Sequence, residues 1–274
     1  MATIAEQLTS LANTKTAIKD AIVAKGVAVA DTDPFSAYPA KIGQIESGGG
    51  APATKFGASV DTWIGDVDEN GVLQSTTWTG ALNFAGVKEI SAYCLHYAFY
   101  AKKGITSVDL SSLTTVGAYG LNFAFRDCTS MVSVDLSSLQ TVDSFGANNM
   151  LYGCTGITSV DLSSLQSVGT YGLQSVLCGC TGITSVDLSS LQSVGSNGMN
   201  SAFAVCRKLN LMSFPSLTDV QAGSFGTSTY TYAFRDCTAL TEIHFRADMQ
   251  ATIEAMSGYA NKWGATNATI YFDL

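Results

Sequence analysis

The chain has 274 residues, of which 46% are hydrophobic and 13% charged, and its formal net charge at pH 7 is -8. A nucleic-acid-binding protein needs a basic surface for its phosphate contacts, so nucleic acid is not an expected partner. The many aliphatic residues exclude a wholly disordered chain. No apolar run approaches the length of about 18 residues that predicts a transmembrane helix, so membrane insertion is not expected.

The first segment, residues 1–46, has a helical pattern and no repeat. Its apolar residues have the spacing of a short amphipathic seam, which Lys15 and Lys25 interrupt. These apolar residues are Ile4, Leu8, Leu11, Ile18 and Ile22. Asp33 followed by Pro34 predicts the start of a second short helix. Residues 47–54 are rich in glycine and are interpreted as a linker.

Two motifs in this segment, N-T-K-x-A-I-K from Asn13 and F-x-x-Y-x-x-K-I from Phe35, carry a resemblance. The segment is similar to the N-terminal attachment region of tail and fibre proteins in gut-type phages and prophages. The resemblance implies a virion protein made in the bacterial host cytoplasm, with other virion proteins as partners. The amphipathic seam predicts weak self-association, and a homotrimer would suit a fibre. The first residues also lack the pattern of a secretory signal peptide, which agrees with release by lysis.

Residues 55–80 predict a β-hairpin that caps the N-terminal end of residues 81–247, with the turn at Asn70 and Gly71. Residues 66–71 also match the start of a calcium loop. The last ligand position of such a loop would fall on Thr77, where a bidentate glutamate is needed. The hairpin turn is therefore the favoured interpretation, and no metal is predicted.

An internal repeat dominates residues 81–247. The segment Ser-Val-Asp-Leu-Ser-Ser-Leu begins at Ser107, Ser133, Ser159 and Ser185, with an offset of 26 residues each time. Weaker copies flank these four, and a five-residue expansion interrupts the frame around residues 226–232. Each unit has one strand with apolar and polar residues in alternation, and no unit can bury its own apolar face. The pattern predicts a solenoid of roughly six stacked coils at about 4.8 Å spacing.

The full repeat, I-T-S-V-D-L-S-S-L-Q-S-V-G with recurring Gly, Ala-Phe and Cys positions, resembles the BspA-like class of leucine-rich repeats. Members of that class occur in bacterial surface adhesins, protist surface proteins and phage or prophage proteins. The resemblance implies a leucine-rich-repeat solenoid with a binding or scaffold role, and it implies no particular ligand.

Residues 248–274 predict a C-terminal cap made of a helix and a strand. The helix is expected over residues 248–263, with Asp248 as its N-cap and Gly264 as its end. Thr269 to Phe272 are expected to form the last strand.

The cysteines are predicted to be buried structural thiols, because five of the seven share one position in successive coils. These five are Cys128, Cys154, Cys180, Cys206 and Cys237. Aligned thiols do not converge as tetrahedral metal ligands do. Four aromatic residues also share one column, and a core stack is the favoured interpretation over an exposed glycan-binding stripe. These residues are Tyr93, Tyr119, Phe145 and Tyr171.

Two features are candidate recognition surfaces. The first is a ladder of outward carboxylates, Asp109, Asp135, Asp161 and Asp187. Aligned like charges repel one another, which favours either a ligand face or aspartates fixed as Asx-turn acceptors by the adjoining Ser-Ser pairs, and the second interpretation is preferred. The second feature is the expansion with the residues that lead into it, 223–232, represented by Ser224, Phe225 and Tyr230. Such an insertion is equally interpreted as a tolerated surface loop.

No motif for catalysis or cofactor binding is present. Because near-identical coils do not bring unlike groups to one point, an enzyme is not expected. The sequence predicts a phage tail-fibre or receptor-binding protein of adhesin type. Its solenoid would bind a host cell-surface receptor, either a glycan or a protein. The alternatives are a virion decoration protein that binds no host cell and a BspA-type bacterial surface adhesin.

Overall fold

The structure is a computed structural model, and it describes residues 55–56, 79–84 and 86–274. The predicted N-terminal helices, the linker, the hairpin turn and the residues of the calcium-loop motif lie outside these residues. Within the described part, the chain forms about seven parallel coils. Each regular coil has a long strand, a tight corner, a short strand and a run of turns, so the predicted solenoid is confirmed.

The long strands form one face of the solenoid. Their bounds are β2 Thr79–Asn83, β4 Gly104–Asp109, β6 Ser133–Asp135, β8 Ser159–Asp161, β10 Ser185–Asp187, β12 Leu211–Phe214, β14 Glu242–Phe245 and β15 Thr269–Phe272. They make a five-stranded parallel sheet in the order β10-β8-β6-β4-β2 and a three-stranded parallel sheet in the order β12-β14-β15. The register pairs equivalent residues of neighbouring coils, because a repeat of constant length presents the same residue to each rung.

A second sheet forms another face of the solenoid, and the sequence pattern does not predict its strands. It contains seven two-residue strands, β1 Lys55–Phe56, β3 Glu89–Ile90, β5 Thr115–Val116, β7 Thr141–Val142, β9 Ser167–Val168, β11 Ser193–Val194 and β13 Asp219–Val220. Their order in the sheet is β1-β3-β5-β7-β9-β11-β13. Two residues are too few to show a period in sequence, which is why the β-strands were not recognised.

The third face consists of consecutive turns. Successive backbone N–H groups alternate between two kinds of acceptor: a carbonyl of the next coil and a carbonyl three residues earlier in the same turn. The N–H of Tyr119 donates to the carbonyl of Ser144 (3.3 Å), and that of Gly120 donates to the carbonyl of Gly117 (2.9 Å). In a regular coil every fourth residue has a left-handed backbone, for example Tyr119, Phe123 and Asp127, with φ of 58°, 56° and 59°. Glycine takes two of the positions equivalent to Asp127.

One continuous hydrophobic core runs through the coils. The inward residues of the long strands, such as Val108, Val134 and Val160, are buried against leucines from the corners. Phenylalanine rings stack from coil to coil, as Phe99 does on Phe125 with centroids 5.1 Å apart. Because each coil covers the apolar side of its neighbours, the core depends on the whole stack.

The C-terminal cap differs from the prediction in its helix and agrees in its strand. Two short 3-10 helices, Ala247–Met249 and Tyr259–Gly264, flank the α-helix α1, Gln250–Glu254. Gly258, with φ of 84°, is the N-cap of the second 3-10 helix and lies between it and α1, so the predicted single helix is interrupted. Asp248 is not an N-cap: it lies within the first turn and pairs with Arg246 (Nη2 to Oδ2, 2.6 Å), which draws its carboxylate away from the helix N–H groups. The strand β15 is confirmed.

Candidate functional site

Two columns of polar side chains follow the long-strand face. In the regular coils a serine and an aspartate point outward on either side of an inward valine, which is buried in β4, β6 and β8 and half-buried in β10. The serine column is Ser107, Ser133, Ser159 and Ser185, and the aspartate column is Asp109, Asp135, Asp161 and Asp187. The sequence-predicted carboxylate ladder is thus assembled on one face.

Each aspartate of this ladder is fixed by the corner that comes after it. The N–H of the serine two residues later donates to Oδ1 of the aspartate, at 3.0 Å for Asp109, 3.0 Å for Asp135, 2.9 Å for Asp161 and 2.8 Å for Asp187. The hydroxyl and N–H of Ser111 hold the pKa of Asp109 below its ordinary value, and Ser163 does the same for the pKa of Asp161. These contacts confirm the Asx-turn interpretation, and they show how a sheet tolerates aligned carboxylates.

Two open grooves lie over this face. One, of about 670 Å³, extends from Ala81 to Asp161 across the first four strands. The other, of about 450 Å³, extends from Ser159 to Pro215. Ser159 and Asp161 line both grooves, so the two share a boundary at β8. Among the described residues that line the grooves none is basic, and the charged ones are all aspartates.

The expansion divides into a buried base and an exposed tip. Ser224 and Phe225 are fully buried, so their prediction as recognition residues is wrong. The Ser224 hydroxyl donates to a neighbouring carbonyl, at 2.6 Å for that of Gln221, and the Phe225 ring packs on Trp263. Tyr230 at the tip is 85% exposed and remains a candidate for ligand contact.

The cysteine column is buried, as predicted. Each of its five thiols donates to a backbone carbonyl of the preceding coil, at 3.0 to 3.2 Å. Burial raises the pKa of every one of these thiols, to about 12 for Cys128, Cys180 and Cys237. In the described part of the chain no group of three or more His, Cys, Asp or Glu residues is arranged to hold a metal ion.

The aromatic column is stacked, but it is not in the core. The centroids of Tyr93, Tyr119, Phe145 and Tyr171 are 4.8 to 4.9 Å apart in successive pairs. Tyr93 is 53% exposed and the other three are half-buried. The core-stack prediction is therefore wrong, because these residues occupy turn-face positions outside the apolar interior. Stacking covers the ring faces, so the inner rings present edges to solvent.

Comparison with known families settles the type of repeat. The sequence model for the BspA type leucine-rich repeat region matches residues 88–231 in six copies, just over half of the chain. The chain belongs to the BspA-type leucine-rich repeat family. The family resemblance expected from the repeat is thereby confirmed. No curated protein matches the sequence significantly.

Solved structures of other leucine-rich repeat proteins are similar to this BspA-type chain. A leucine-rich repeat protein of T. pallidum is 15% identical, with 76% of this chain and 78% of that chain covered and a TM-score of 0.35. One from Bacteroides ovatus is 12% identical, with 73% and 70% covered and a TM-score of 0.33. An internalin from Listeria monocytogenes is 11% identical, with 68% and 64% covered and a TM-score of 0.24.

A polar cluster at the C-terminal end of the BspA-type sheet escaped the sequence analysis. His244 on β14 lies in register with Ser213 on one side and Tyr271 on the other, so it continues the column of the aspartate ladder. Its Nδ1 lies 2.8 Å from Asp273 Oδ1 and its Nε2 lies 3.3 Å from Glu242 Oε2. The ring also stacks on Tyr271 at 4.7 Å. Aligning the last, irregular coils with the aspartate position of the repeat would have identified His244 from the sequence.

Among the described residues no helix could span a membrane.

We expect the stability of the BspA-type solenoid to decrease as the pH rises through neutrality. Burial of the His244 ring opposes its charge, but the hydrogen bonds to Asp273 and Glu242 outweigh this and raise its pKa. A pKa that is higher in the folded than in the unfolded state stabilises the fold below about pH 6.5, and this contribution is lost above the raised pKa. The other ionisable groups on this face of β14 and β15 are Arg246 and Tyr271.

The measurement is the thermal midpoint by circular dichroism from pH 5.5 to 8.5, for the parent and for His244→Gln. The variant keeps a polar side chain of similar reach that does not titrate in this range. Its deficit relative to the parent is expected to be greatest at pH 5.5 and to shrink by pH 8.5. A deficit that is constant with pH would contradict the assignment.

Proposed function

We propose that this chain is a non-enzymatic receptor-binding protein of adhesin type that contacts its ligand with the long-strand face of the solenoid. The observation that carries the proposal is the pair of adjoining grooves, lined by the serine and aspartate columns of successive coils. A pre-formed groove that extends over several repeats and carries a few fixed polar groups is typical of binding sites on repeat proteins.

The regularity of this face favours recognition of an extended ligand with a repeating chemical group. The aspartates are immobilised by their Asx turns, so they meet a ligand without further loss of side-chain freedom. Catalysis needs unlike groups that converge on one point, whereas the rungs of β4, β6, β8 and β10 repeat the same pair of serine and aspartate. Since the charged residues that line the grooves in the described part are all aspartates, the expected ligand is a neutral polyhydroxylated chain or an amine-bearing chain rather than an acidic one.

The finer proposal is that the protein is part of a virion, in the tail or a fibre, and that it binds a glycan or protein receptor on the host cell. It rests on the N-T-K-x-A-I-K and F-x-x-Y-x-x-K-I motifs of residues 1–46. These residues would attach the solenoid to other virion proteins, with a homotrimer as the candidate assembly. Fractionation of a producing bacterium tests this: recovery with particles released on lysis supports it, whereas recovery in the cell wall would favour a bacterial surface adhesin.

Binding is tested on an array of neutral, amine-bearing and acidic glycans and on whole bacterial cells. Ser159→Trp places a bulky group at the boundary of both grooves on an exposed position, and we expect it to abolish binding. Tyr230→Ala is the matched control on the exposed expansion. Loss in Tyr230→Ala alone would move the site to the expansion, and absence of binding by the parent would favour a decoration protein.

A further inference from the structure

The last strand, β15, has one side that no described strand covers. It pairs only with β14 and ends the order β12-β14-β15. The N–H of Thr269 donates to the carbonyl of Thr241 in the preceding coil (2.8 Å). Because successive residues of a strand direct their polar groups to opposite sides, the N–H and C=O groups of Ile270 and Phe272 point to the uncovered side. Within the described part, no turn, loop or cap bonds to them.

This edge lacks the features that usually protect an edge strand. Its four residues, Thr-Ile-Tyr-Phe, include no charge and no proline, and all favour β structure. Ile270 and Phe272 are only half-buried, whereas Ile243 and Phe245 at the same positions of β14 are fully buried. Among the described residues, no further strand covers the apolar side chains of β15 in the way that neighbouring strands cover those of the other coils.

We propose that β15 pairs antiparallel with β15 of a second copy of this chain, with Tyr271 opposite Tyr271 across a twofold axis. In this register Ile270 lies opposite Phe272 of the partner subunit, and the pair exchanges two hydrogen bonds. A twofold contact repeats each pair, so both uncovered apolar side chains of each copy gain a partner. The half-buried Ile270 and Phe272 of each copy lie beside each other, and so do the two exposed Tyr271 side chains. The pattern of inward and outward residues in β15 therefore matches that of a second β15.

Charge complementarity supports a second copy as the occupant. The same register sets Thr269 opposite Asp273 of the partner subunit. Thr269 and Lys262 line one groove of about 210 Å³ beside this edge, together with Tyr259 and Ile270. Oδ1 of Asp273 is held by His244 of its own chain (2.8 Å), but the side chain is 52% exposed, so the second oxygen of a partner's carboxylate can approach Lys262 in that groove. An edge of four residues is short, and the dimer is accordingly expected to be weak and concentration-dependent.

A register-specific cross-link tests this proposal on the full chain. In the proposed dimer the Tyr271 Cα atoms are about 4.5 Å apart, which a disulfide can bridge. Tyr271→Cys is therefore expected to form a covalent dimer with 4,4′-dithiodipyridine as the oxidant. The seven native cysteines are all buried, so they do not compete. Thr269→Cys is the matched control, since it lies on the same side of β15 but roughly 13 Å from its counterpart.

We expect cross-linking of Tyr271→Cys to be about tenfold faster than that of Thr269→Cys, because pairing raises the effective concentration of the thiols only in the first. Equal rates, or no dimer from Tyr271→Cys, would overturn the proposal. Light scattering of the unmodified chain is the second measurement. Its mass should rise with concentration, and Tyr271→Lys, which places two cations face to face, should remove that rise. A concentration-dependent mass that Tyr271→Lys leaves unchanged would also overturn it.

Discussion

We expect Cys180→Asp to prevent stable folding of the solenoid. The Cys180 side chain is fully buried in a central coil, and its thiol donates to the carbonyl of Leu151 (3.1 Å). A carboxylate at this position would face that carbonyl as a second acceptor, among the apolar side chains of the core. An unpaired buried charge costs several kcal/mol, and we expect a loss of more than about 4 kcal/mol. Because every coil covers its neighbours, a defect in a central coil affects the stack on both sides.

The matched control is Cys180→Ser, which exchanges sulfur for oxygen and keeps a donor for the Leu151 carbonyl. We expect it to lose about 1 kcal/mol. Urea unfolding followed by circular dichroism compares the two with the parent. If Cys180→Asp unfolded at the same urea concentration as Cys180→Ser, the column would not be a packed structural element, and the thiols would need another explanation.

The features predicted successfully are those that recur in the repeat. An offset of 26 residues fixes which residues of neighbouring coils pair, so the alignment of Ser133 with Ser159 and Ser185 is a consequence of the sequence alone. The burial of Cys128 and its counterparts and the Asx turn at Asp135 have the same origin. In each case a local rule, applied to one coil, is reinforced by its repetition in the next.

The wrong predictions concern where a side chain points and which group it contacts, and not its place in the repeat. Repetition placed Tyr119 and Phe145 in one column, but it could not show that this column lies on the turn face, where left-handed residues recur every four positions. The sequence predicts a surface position for Ser224 and Phe225 because they border the expansion. In the structure both residues are buried in the core, and the chain becomes exposed only after them. Asp248 had the residue type of an N-cap, and the neighbouring Arg246 captured its carboxylate.

We expect Gly226→Ala to disrupt the expansion and to destabilise the chain by about 3 kcal/mol or more. Gly226 has φ of 95°, beyond the range of 46° to 66° that the described non-glycine residues with positive φ adopt. A Cβ atom there would lie 2.1 Å from the carbonyl oxygen of Thr231 and 2.9 Å from the Cα of Tyr232. Both contacts are with backbone, so relief requires movement of the chain that carries Tyr232, Ala233 and Phe234 into the core.

Gly80→Ala separates this clash from backbone strain. Gly80 has φ of 87°, close to that of Gly226, but a Cβ atom there would meet no atom of the described residues within 4 Å. Its substitution is expected to cost about 1 kcal/mol, the usual penalty of an alanine in the left-handed region. The difference between the two variants in urea unfolding therefore measures the cost of moving the expansion. Equal losses of unfolding free energy in the two variants would mean that the expansion moves away from the added methyl group without cost, and that only the left-handed backbone conformation of Gly226 matters. A loss confined to Gly226→Ala, together with impaired folding of the coils after it, would show that the expansion is anchored into the core through Phe225 and Trp263.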